Sequence, residues 1–335
     1  MTDDGIAIIS LDERDRWEAE HRRDGLPSQS WTYAHALRAM GIEPRLAVVR
    51  AGGARMLLPF FERSWNGATD IATTTGLSGA SIMPSSPAPL ALWREYARTR
   101  GCVAGYVRLA TSVSFEDEMP EVGLVPNRTV FLLDLAGRDV LKASSEIVRR
   151  KVRKASRLGA VVVDDRARLA DRLKDLHPAT MVRAGAGPEY DFPAQALERW
   201  ALDPSSIVLG GSLGGSIEAV SLFCVAGRHA EYHLNASTPR GRDLTAWLIV
   251  HAVDRLVEAG VEVLNLGGAA KRPGDGVYQF KERFNGRPAD VHAARQIYDL
   301  DRYEELCRRA GAAASDSWFP AYRARENARP LESQT

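Results

Sequence analysis

Residues 261–284 constrain the fold of this chain more than any other stretch. Apolar residues at alternate or adjacent positions run up to Leu266, which is typical of a buried strand. The glycine pair at 267–268 follows, and glycine lets the backbone turn without a side-chain penalty. A loop of Gly, Pro and Asp residues covers 271–276, and Lys281 then stands between aromatic residues on one or two helical turns. This order predicts a small cleft at the end of a sheet strand, bordered by a lysine.

Two motifs in this stretch resemble those of a known family. They are Asn265-Leu266-Gly267-Gly268 and Gly276-x-x-x-Phe280-Lys281-x-x-Phe284. Together they resemble the last strand and the following signature of the Fem family. Fem proteins are peptide-bond-forming, aminoacyl-tRNA-dependent transferases built from two domains of the GNAT acyltransferase fold. A sister group of GNAT-like acyltransferases has the same signature, so the resemblance implies the superfamily first and the Fem branch second.

The resemblance extends over nearly the whole chain. The segment 31–41 followed by a strand hairpin over 46–60 is similar to the first Fem domain, and the elements from 206 to 298 follow the GNAT order. We therefore expect an α/β fold with mixed sheets and tandem GNAT-like domains, without the coiled-coil arm of some Fem proteins. The expected domains are residues 1–155 and 156–300. Residues 301–335 are expected to form a helix that packs back on the first domain, followed by a disordered tail.

Composition narrows the class of protein but not its partners. A chain of 335 residues is long enough for two domains with separate cores. The apolar content of 45% and charged content of 26% are ordinary for a globular chain. A net charge of +1 indicates no global attraction to nucleic acid or membrane, so any contact with RNA has to come from a local patch.

The expected compartment is the cytoplasm. The three cysteines, Cys102, Cys224 and Cys307, have no metal-binding or redox spacing and suit a reducing environment. The first ten residues are acidic and lack the basic and apolar regions of a signal peptide. No stretch approaches the ~18 uninterrupted apolar residues of a membrane-spanning helix.

Lys281 and Tyr278 are the predicted catalytic residues. Amide formation from an activated ester or thioester builds negative charge on the carbonyl oxygen, which a lysine ammonium in a cleft stabilises. The chain has only six lysines among 44 basic residues, and the retention of Lys281 as lysine favours a need for its compact ammonium. The Fem resemblance implies the same role. Tyr278 is placed to protonate the leaving group, as a tyrosine does in many GNAT enzymes. The alternative for Lys281 is a surface ion pair with Glu282 or Asp275.

Three further residues are predicted to bind the donor. The resemblance implies that Phe280 stacks on the terminal adenosine of tRNA, whereas its spacing to Phe284 also suits core packing. Arg240 and Arg242 lie in the loop 238–243, where GNAT enzymes bind the pyrophosphate of coenzyme A on backbone amides. Here only one glycine of that loop motif is present, a proline removes an amide, and Asp243 is expected to repel phosphate. The loop therefore favours a donor other than coenzyme A.

A second set of basic residues is predicted to bind the acceptor or a phosphate group. The basic run in the predicted helix 146–158 contains Arg149, Lys151 and Arg153, and it resembles the segment that ends the first Fem domain. These cations face either phosphate or only solvent. Arg183 matches a basic residue early in the second Fem domain. The long loop at 66–90 is expected to line the site.

Other forms of chemistry find little support in the sequence. Strand 230–235 alternates, which predicts Tyr232 and Leu234 on one face and Glu231 and His233 on the other. Either Glu231 or His233 is a candidate base, and a structural role is the alternative for the histidine. The sequence shows no order of Ser, His and Asp residues that indicates a catalytic triad. It also shows no spacing of possible metal ligands beyond what chance would give. No metal or bound cofactor is expected.

The sequence thus predicts an aminoacyltransferase. Its donor is aminoacyl-tRNA, which acts as a co-substrate, and its acceptor is an amine on a small molecule such as a cell-wall precursor or a specialised metabolite. The alternative is an acyl-CoA-dependent N-acyltransferase of the GNAT type. A third interpretation, a binding module without catalysis, is disfavoured by the retained Lys281.

Overall fold

The computed structural model describes residues 4–113, 123–187, 190–269, 276–312 and 318–324. Strands and helices alternate along these ranges. The strands are β1 (Gly5–Ser10), β2 (Arg45–Ala51), β3 (Ala54–Trp65), β4 (Ala68–Thr73), β5 (Ser81–Met83), β6 (Cys102–Arg108), β7 (Leu124–Asp134), β8 (Val161–Val163), β9 (Ile207–Leu213), β10 (Ser216–Ala226), β11 (His229–Ser237), β12 (Val263–Ala269) and β13 (Arg287–Ile297). The helices are α1 (Arg14–Asp24), α2 (Trp31–Ala36), α3 (Ala88–Thr99), α4 (Val140–Ala143), α5 (Glu146–Arg157), α6 (Arg166–Ala184), α7 (Ala194–Leu202), α8 (Leu244–Glu258), α9 (Gly276–Glu282) and α10 (Leu300–Ala310).

Local sequence signals set the ends of several elements. The hydroxyl of Ser30 accepts the Tyr33 N–H at the start of α2, as expected of an N-cap serine. Gly159 follows α5 with a φ of +72°, a conformation that glycine adopts at little cost after a helix. Gly214 and Gly215 form the turn between β9 and β10. The hairpin predicted over 46–60 and the helix predicted over 146–158 are confirmed, with bounds that differ by a few residues.

The strands form one mixed sheet. Its order is β1-β2-β3-β4-β6-β13-β7-β12-β11-β10-β9-β8, and β5 pairs with β3. Most neighbours are antiparallel, whereas β4 pairs with β6 and β11 with β12 in parallel. This arrangement confirms the α/β fold with mixed strand directions.

The two halves of the chain exchange strands at the centre of the sheet. The late strand β13 lies between β6 and β7, and the early strand β7 pairs with β12. Backbone hydrogen bonds therefore join the halves directly. The expected boundaries at residues 155 and 300 stay predictions, because the sheet runs without interruption through strands from both sides of each boundary.

Helices cover both faces of the late half of the sheet. On one face, α8 packs on β9 and β10, and α5 packs against α8, in a core that includes Val148, Phe223, Trp247 and Leu264. On the other face, α6 and α7 pack through Leu173, Trp200 and other apolar residues. Each such buried side chain contributes about 1.5–3 kcal/mol of hydrophobic free energy, and this two-sided packing holds β10 and β11 in place.

The end of the described chain packs on the early half. Helix α10 buries Tyr303 and Leu306 against β4 and β6. Residues 318–324 then place Arg323 beside the buried Asp70, which accepts from the Arg323 Nε at 2.6 Å and from the Arg63 Nε at 2.6 Å. The side chains of Asp70 and Arg323 are 1% and 8% exposed, so this is a buried ion pair. The predicted disordered tail lies outside the described residues.

Replacing Asp70 by asparagine is expected to lower the free energy of unfolding by about 3–5 kcal/mol, because the buried Arg323 and the partly buried Arg63 lose their counter-charge. Urea unfolding of the two proteins measures the difference. The exposed Asp254→Asn on α8 is the matched control, with an expected change within about 0.5 kcal/mol. Equal effects of the two substitutions would contradict a stabilising role for the buried pair.

Candidate active site

The candidate site is the wedge that opens between β11 and β12. These parallel strands pair only over His229–Glu231 and Val263–Asn265. Beyond that point β11 stays with β10, and β12 stays with β7. The carboxyl ends of the two strands therefore separate and leave backbone available inside the fold, which is where a sheet of this kind binds ligands.

Irregularities in both strands produce the separation. The pairing of β10 with β11 shifts so that His233 is an extra residue, a β-bulge. The pairing of β12 with β7 shifts between Asn265 and Gly268. Gly267 has a φ of +73°, and its N–H donates to the Asn265 Oδ1 at 2.8 Å. Glycine is required there because other residues adopt this φ only with strain.

Lys281 lies at the opening of this wedge, as predicted. Its Nζ donates to the carbonyl oxygen of Gly268 at 3.3 Å. A Cβ placed on Gly267 would be only 2.8 Å from the Nζ, and 3.2 Å from a methyl carbon of Leu77. The ammonium therefore borders the glycine pair directly, and the lack of a side chain at Gly267 makes room for it.

The aromatic residues of α9 and of the turn that follows it divide between the core and the site. Phe284 is fully buried, as its spacing indicates. Phe280 is half-buried and meets the Phe284 ring edge-on at 5.4 Å between centroids. Tyr278 is half-buried and meets the Phe131 ring edge-on at 5.1 Å. Both residues therefore rest on the core with part of each ring exposed, and their predicted roles with the donor stay predictions.

The predicted donor loop carries a carboxylate that is held by lysines. Asp243 accepts from the Lys154 Nζ at 2.7 Å and lies 3.4 Å from the Lys151 Nζ. The hydrogen bond from Lys154 and the charges of both lysines lower the pKa of Asp243. The N–H of Gly241 donates to the Thr238 hydroxyl at 3.0 Å and is not directed at a ligand. Sequence reasoning missed the two lysine contacts, since about ninety residues separate the partners.

The remaining predicted basic residues do not form one cluster. Arg149 and Arg153 both pair with Glu146 on the exposed face of α5, and Lys151 turns towards Asp243. Arg183, at the end of α6 on the opposite face of the sheet, donates to the Ser237 carbonyl and the Thr180 hydroxyl. Arg240 and Arg242 lie on the turn before α8, where Arg240 is 3.7 Å from the Glu218 carboxylate.

The predicted alternation of β11 holds for Tyr232 and His233 but is wrong for Leu234, because of the bulge at His233. Tyr232 packs in the core under α8, whereas Leu234 packs in the core under α6 and α7. His233 lies within 4.6 Å of the Trp200 ring and 5.0 Å of the Tyr33 ring, measured between centroids. Burial lowers the pKa of His233 to about 3, so the ring is neutral and a poor proton acceptor. A structural role fits His233 better than that of a base.

Glu231 is a functional candidate whose contacts the sequence did not reveal. It is 2% exposed and accepts hydrogen bonds from the hydroxyls of Ser28 and Ser78 and from the Leu77 N–H. Burial raises its pKa, while these donors oppose the change. Leu77 and Ser78 belong to the long loop that was expected to line the site. These two residues therefore contact β11 at Glu231, and the expectation that the loop lines the site stays a prediction.

A large groove lies elsewhere. It has a volume of about 1100 Å³ and opens near the start of β11, where Arg22, Trp31 and His229 line it. A much smaller cavity of about 40 Å³ reaches Glu231 and Asn265. The groove is therefore at the closed end of the wedge, away from Lys281.

Two kinds of feature are absent from the described ranges. They contain no group of three or more His, Cys, Asp or Glu side chains that could hold a metal ion. None of the helices within them is long and apolar enough to cross a membrane. The cysteines Cys102, Cys224 and Cys307 are buried free thiols.

Comparisons with known proteins agree with this geometry. A family model described as an acetyltransferase (GNAT) domain matches residues 143–282. No curated protein matches the sequence. The structure of FemX is similar with a TM-score of 0.66 and 14% identity over 91% of this chain and 99% of FemX. L-PGS from Bacillus licheniformis is similar with a TM-score of 0.56 and 14% identity over 90% of this chain and 97% of its own. A Bacteroides thetaiotaomicron VPI-5482 protein of unknown function gives a TM-score of 0.59 and 11% identity over 88% and 99%.

These likenesses establish the fold. The match to FemX spans nearly all of both chains, and the family model covers α5 through α9, where the wedge and Lys281 lie. The predicted Fem-type GNAT fold is confirmed.

The buried His233 predicts an acid-sensitive stability. Its pKa is about 3 in the folded protein and near 6.5 when unfolded, so the unfolded chain binds more protons between these values. Its contribution to stability is complete above pH 6.5 and is lost as the pH falls towards 3. Urea unfolding at pH 7.5, 5.5 and 4.5 should show that the free energy of unfolding falls less with decreasing pH in His233→Gln than in the unchanged protein. The half-buried His292→Gln on β13 is the control, and equal slopes for all three proteins would contradict this account.

Proposed function

We propose that this protein is an aminoacyltransferase that joins an amino acid from aminoacyl-tRNA to an amine on a small acceptor, such as a cell-wall precursor or a specialised metabolite. One observation carries the proposal: the Lys281 ammonium borders Gly267 and Gly268 where the wedge opens. The fold shared with FemX and the GNAT-domain match support an acyltransferase. The choice of aminoacyl-tRNA rests on the donor loop.

Lys281 is suited to stabilise the transition state of amide formation. The acceptor amine attacks the ester carbonyl, a C–N bond forms, and negative charge builds on the carbonyl oxygen. A fixed ammonium beside that oxygen lowers the barrier, and its effect grows as water is excluded. The C–O bond to the terminal ribose then breaks, the nitrogen loses a proton, and the ribose hydroxyl gains one. Tyr278, three residues before Lys281 on α9, is our candidate for supplying that proton.

The start of α8 supports a donor other than coenzyme A. A pyrophosphate site at a helix N-terminus needs free backbone amides and no competing anion. Here Asp243 immediately precedes α8, and Lys151 and Lys154 hold its carboxylate in place. The amide of Gly241 is used by Thr238, and Pro239 has none.

An acyl-CoA-dependent N-acyltransferase is the second candidate. Two observations favour it: the matched family model is an acetyltransferase domain, and Lys151 and Lys154 offset the negative charge of Asp243. Arg240 and Arg242 add two more positive charges on the same turn. The excess of positive charge would attract phosphate from either donor.

Lys281→Ala is expected to lower kcat by about 10²–10³-fold, the usual effect of removing an oxyanion donor. The KM for the acceptor should change little, because the charge on the oxygen develops only in the transition state. Transfer is measured as amide product formed from charged tRNA, and separately from acetyl-CoA, with a panel of cell-wall precursors and amino metabolites. Activity restricted to charged tRNA supports the first candidate, and activity restricted to acetyl-CoA supports the second.

The matched control is Lys174→Ala. Lys174 lies on α6 and pairs with Asp171 and Glu198, so its loss removes the same charge far from the wedge. It should retain nearly full activity. An active protein in which Lys281→Ala turns over as fast as Lys174→Ala would contradict the role of Lys281.

A further inference from the structure

The buried carboxylate of Glu231 marks the point where the wedge begins. Glu231 is the last residue of β11 that pairs with β12, opposite Asn265. Its Oε1 accepts from the Ser28 hydroxyl at 3.3 Å and from the Ser78 hydroxyl, and its Oε2 accepts from the Leu77 N–H at 3.2 Å. All three donors come from the early half of the chain. Both oxygens are occupied by protein donors, and 2% exposure leaves little access for substrate.

The donors are themselves locked together. The Ser28 N–H donates to the Ser78 hydroxyl at 2.9 Å, and the Ser78 N–H donates to the Ser28 hydroxyl at 2.9 Å. Gly76, with a φ of +105°, lets the loop approach so closely that a Cβ there would overlap Ser28. The Gln29 side chain donates to the Gly79 carbonyl at 2.8 Å. Loop 74–79 is therefore a compact unit, and Glu231 is its attachment to β11.

This attachment places a side chain beside the ammonium. The position of a Cβ on Gly267 would lie 3.2 Å from a Leu77 methyl carbon and 2.8 Å from the Lys281 Nζ. Leu77 and Lys281 therefore border the same residue of the glycine pair. An apolar wall beside an ammonium excludes water and strengthens its electrostatic effect on a developing charge.

A second charged side chain supports the same loop. Arg108 is half-buried, and its Nη2 donates to the Thr74 carbonyl at 3.1 Å. Burial lowers the pKa of Arg108, and the charge of Glu231 opposes that change. The loop is thus held at its first residue by a cation and at Leu77 and Ser78 by an anion. Two opposite charges at the ends of one six-residue loop make its position sensitive to the loss of either.

We propose that Glu231 is a positioning residue, which holds Leu77 through its N–H so that loop 74–79 forms the wall beside Lys281. It acts through the loop and does not touch the reacting atoms. The inference rests on the proposed function for the role of Lys281. The attachment of the loop to β11 is a separate part of it and can be measured without any transfer reaction.

The first measurement is hydrogen exchange of loop 74–79 in the full-length protein. Glu231→Gln removes the charge and gives the Leu77 N–H and the two hydroxyls a weaker acceptor. We expect faster exchange over 74–79 with unchanged exchange in α10. The matched control is Glu262→Gln, whose partly exposed carboxylate pairs with Arg228 next to β12, and it should leave the loop unchanged. Unchanged exchange over 74–79 in Glu231→Gln would overturn the proposal.

The second measurement is steady-state kinetics with the active donor. Glu231→Gln should lower kcat by about 10–100-fold, the effect of a small misplacement at a reacting centre, with little change in the KM of the donor. Ser78→Ala keeps the carboxylate and should have a smaller effect in the same direction. If Glu231 acts through Lys281, adding Glu231→Gln to Lys281→Ala should cause little further loss.

The positioning role would be overturned if the double variant lost kcat by the product of the two single effects. It would also be overturned if Glu231→Gln changed only KM. If Glu231→Gln fails to fold, Ser78→Ala decides the question by the same two readouts. A protein that transfers from neither donor would contradict the proposed function. In that event the exchange measurement still judges the attachment of the loop to β11.

Discussion

The short parallel pairing of β11 and β12 is the constraint on which the site depends. Three residues of each strand pair, and the bulges at His233 and at Gly267 then direct the strands to different neighbours. The separation leaves Gly267 and Gly268 at the opening, where α9 delivers Lys281. The helices on both faces hold the outer strands, so the wedge is kept open by the packed cores of the late half.

Local features of the site could be predicted from the sequence. A strand that includes Leu266, a helix that carries Lys281 and the burial of Phe284 all follow from spacing within about twenty residues, whereas the turn predicted at the glycine pair is wrong because β12 continues through it to Ala269. Apolar periodicity and glycine positions act over that range, so these features needed no knowledge of distant contacts. The Fem-type GNAT fold was expected because the motifs in this stretch resemble those of the Fem family.

Features that depend on distant partners could not be predicted. The bulge at His233 arises in the pairing of β11 with β10. It places Leu234 on the face of the sheet opposite to the one expected. The lysines that hold Asp243 and the hydroxyls that reach Glu231 come from other parts of the chain. Such contacts depend on the tertiary arrangement, and the spacing of residues along one strand carries no information about them.

We propose that the wedge accepts an acyl group delivered by tRNA and not by coenzyme A. Equilibrium binding of the purified protein to bulk aminoacylated tRNA, and separately to acetyl-CoA, at two salt concentrations tests it most directly. We expect binding to tRNA that weakens as salt rises, as phosphate contacts require, and no binding of acetyl-CoA. Binding of acetyl-CoA without binding of tRNA would contradict the claim and assign the turn before α8 to coenzyme A despite its carboxylate at Asp243.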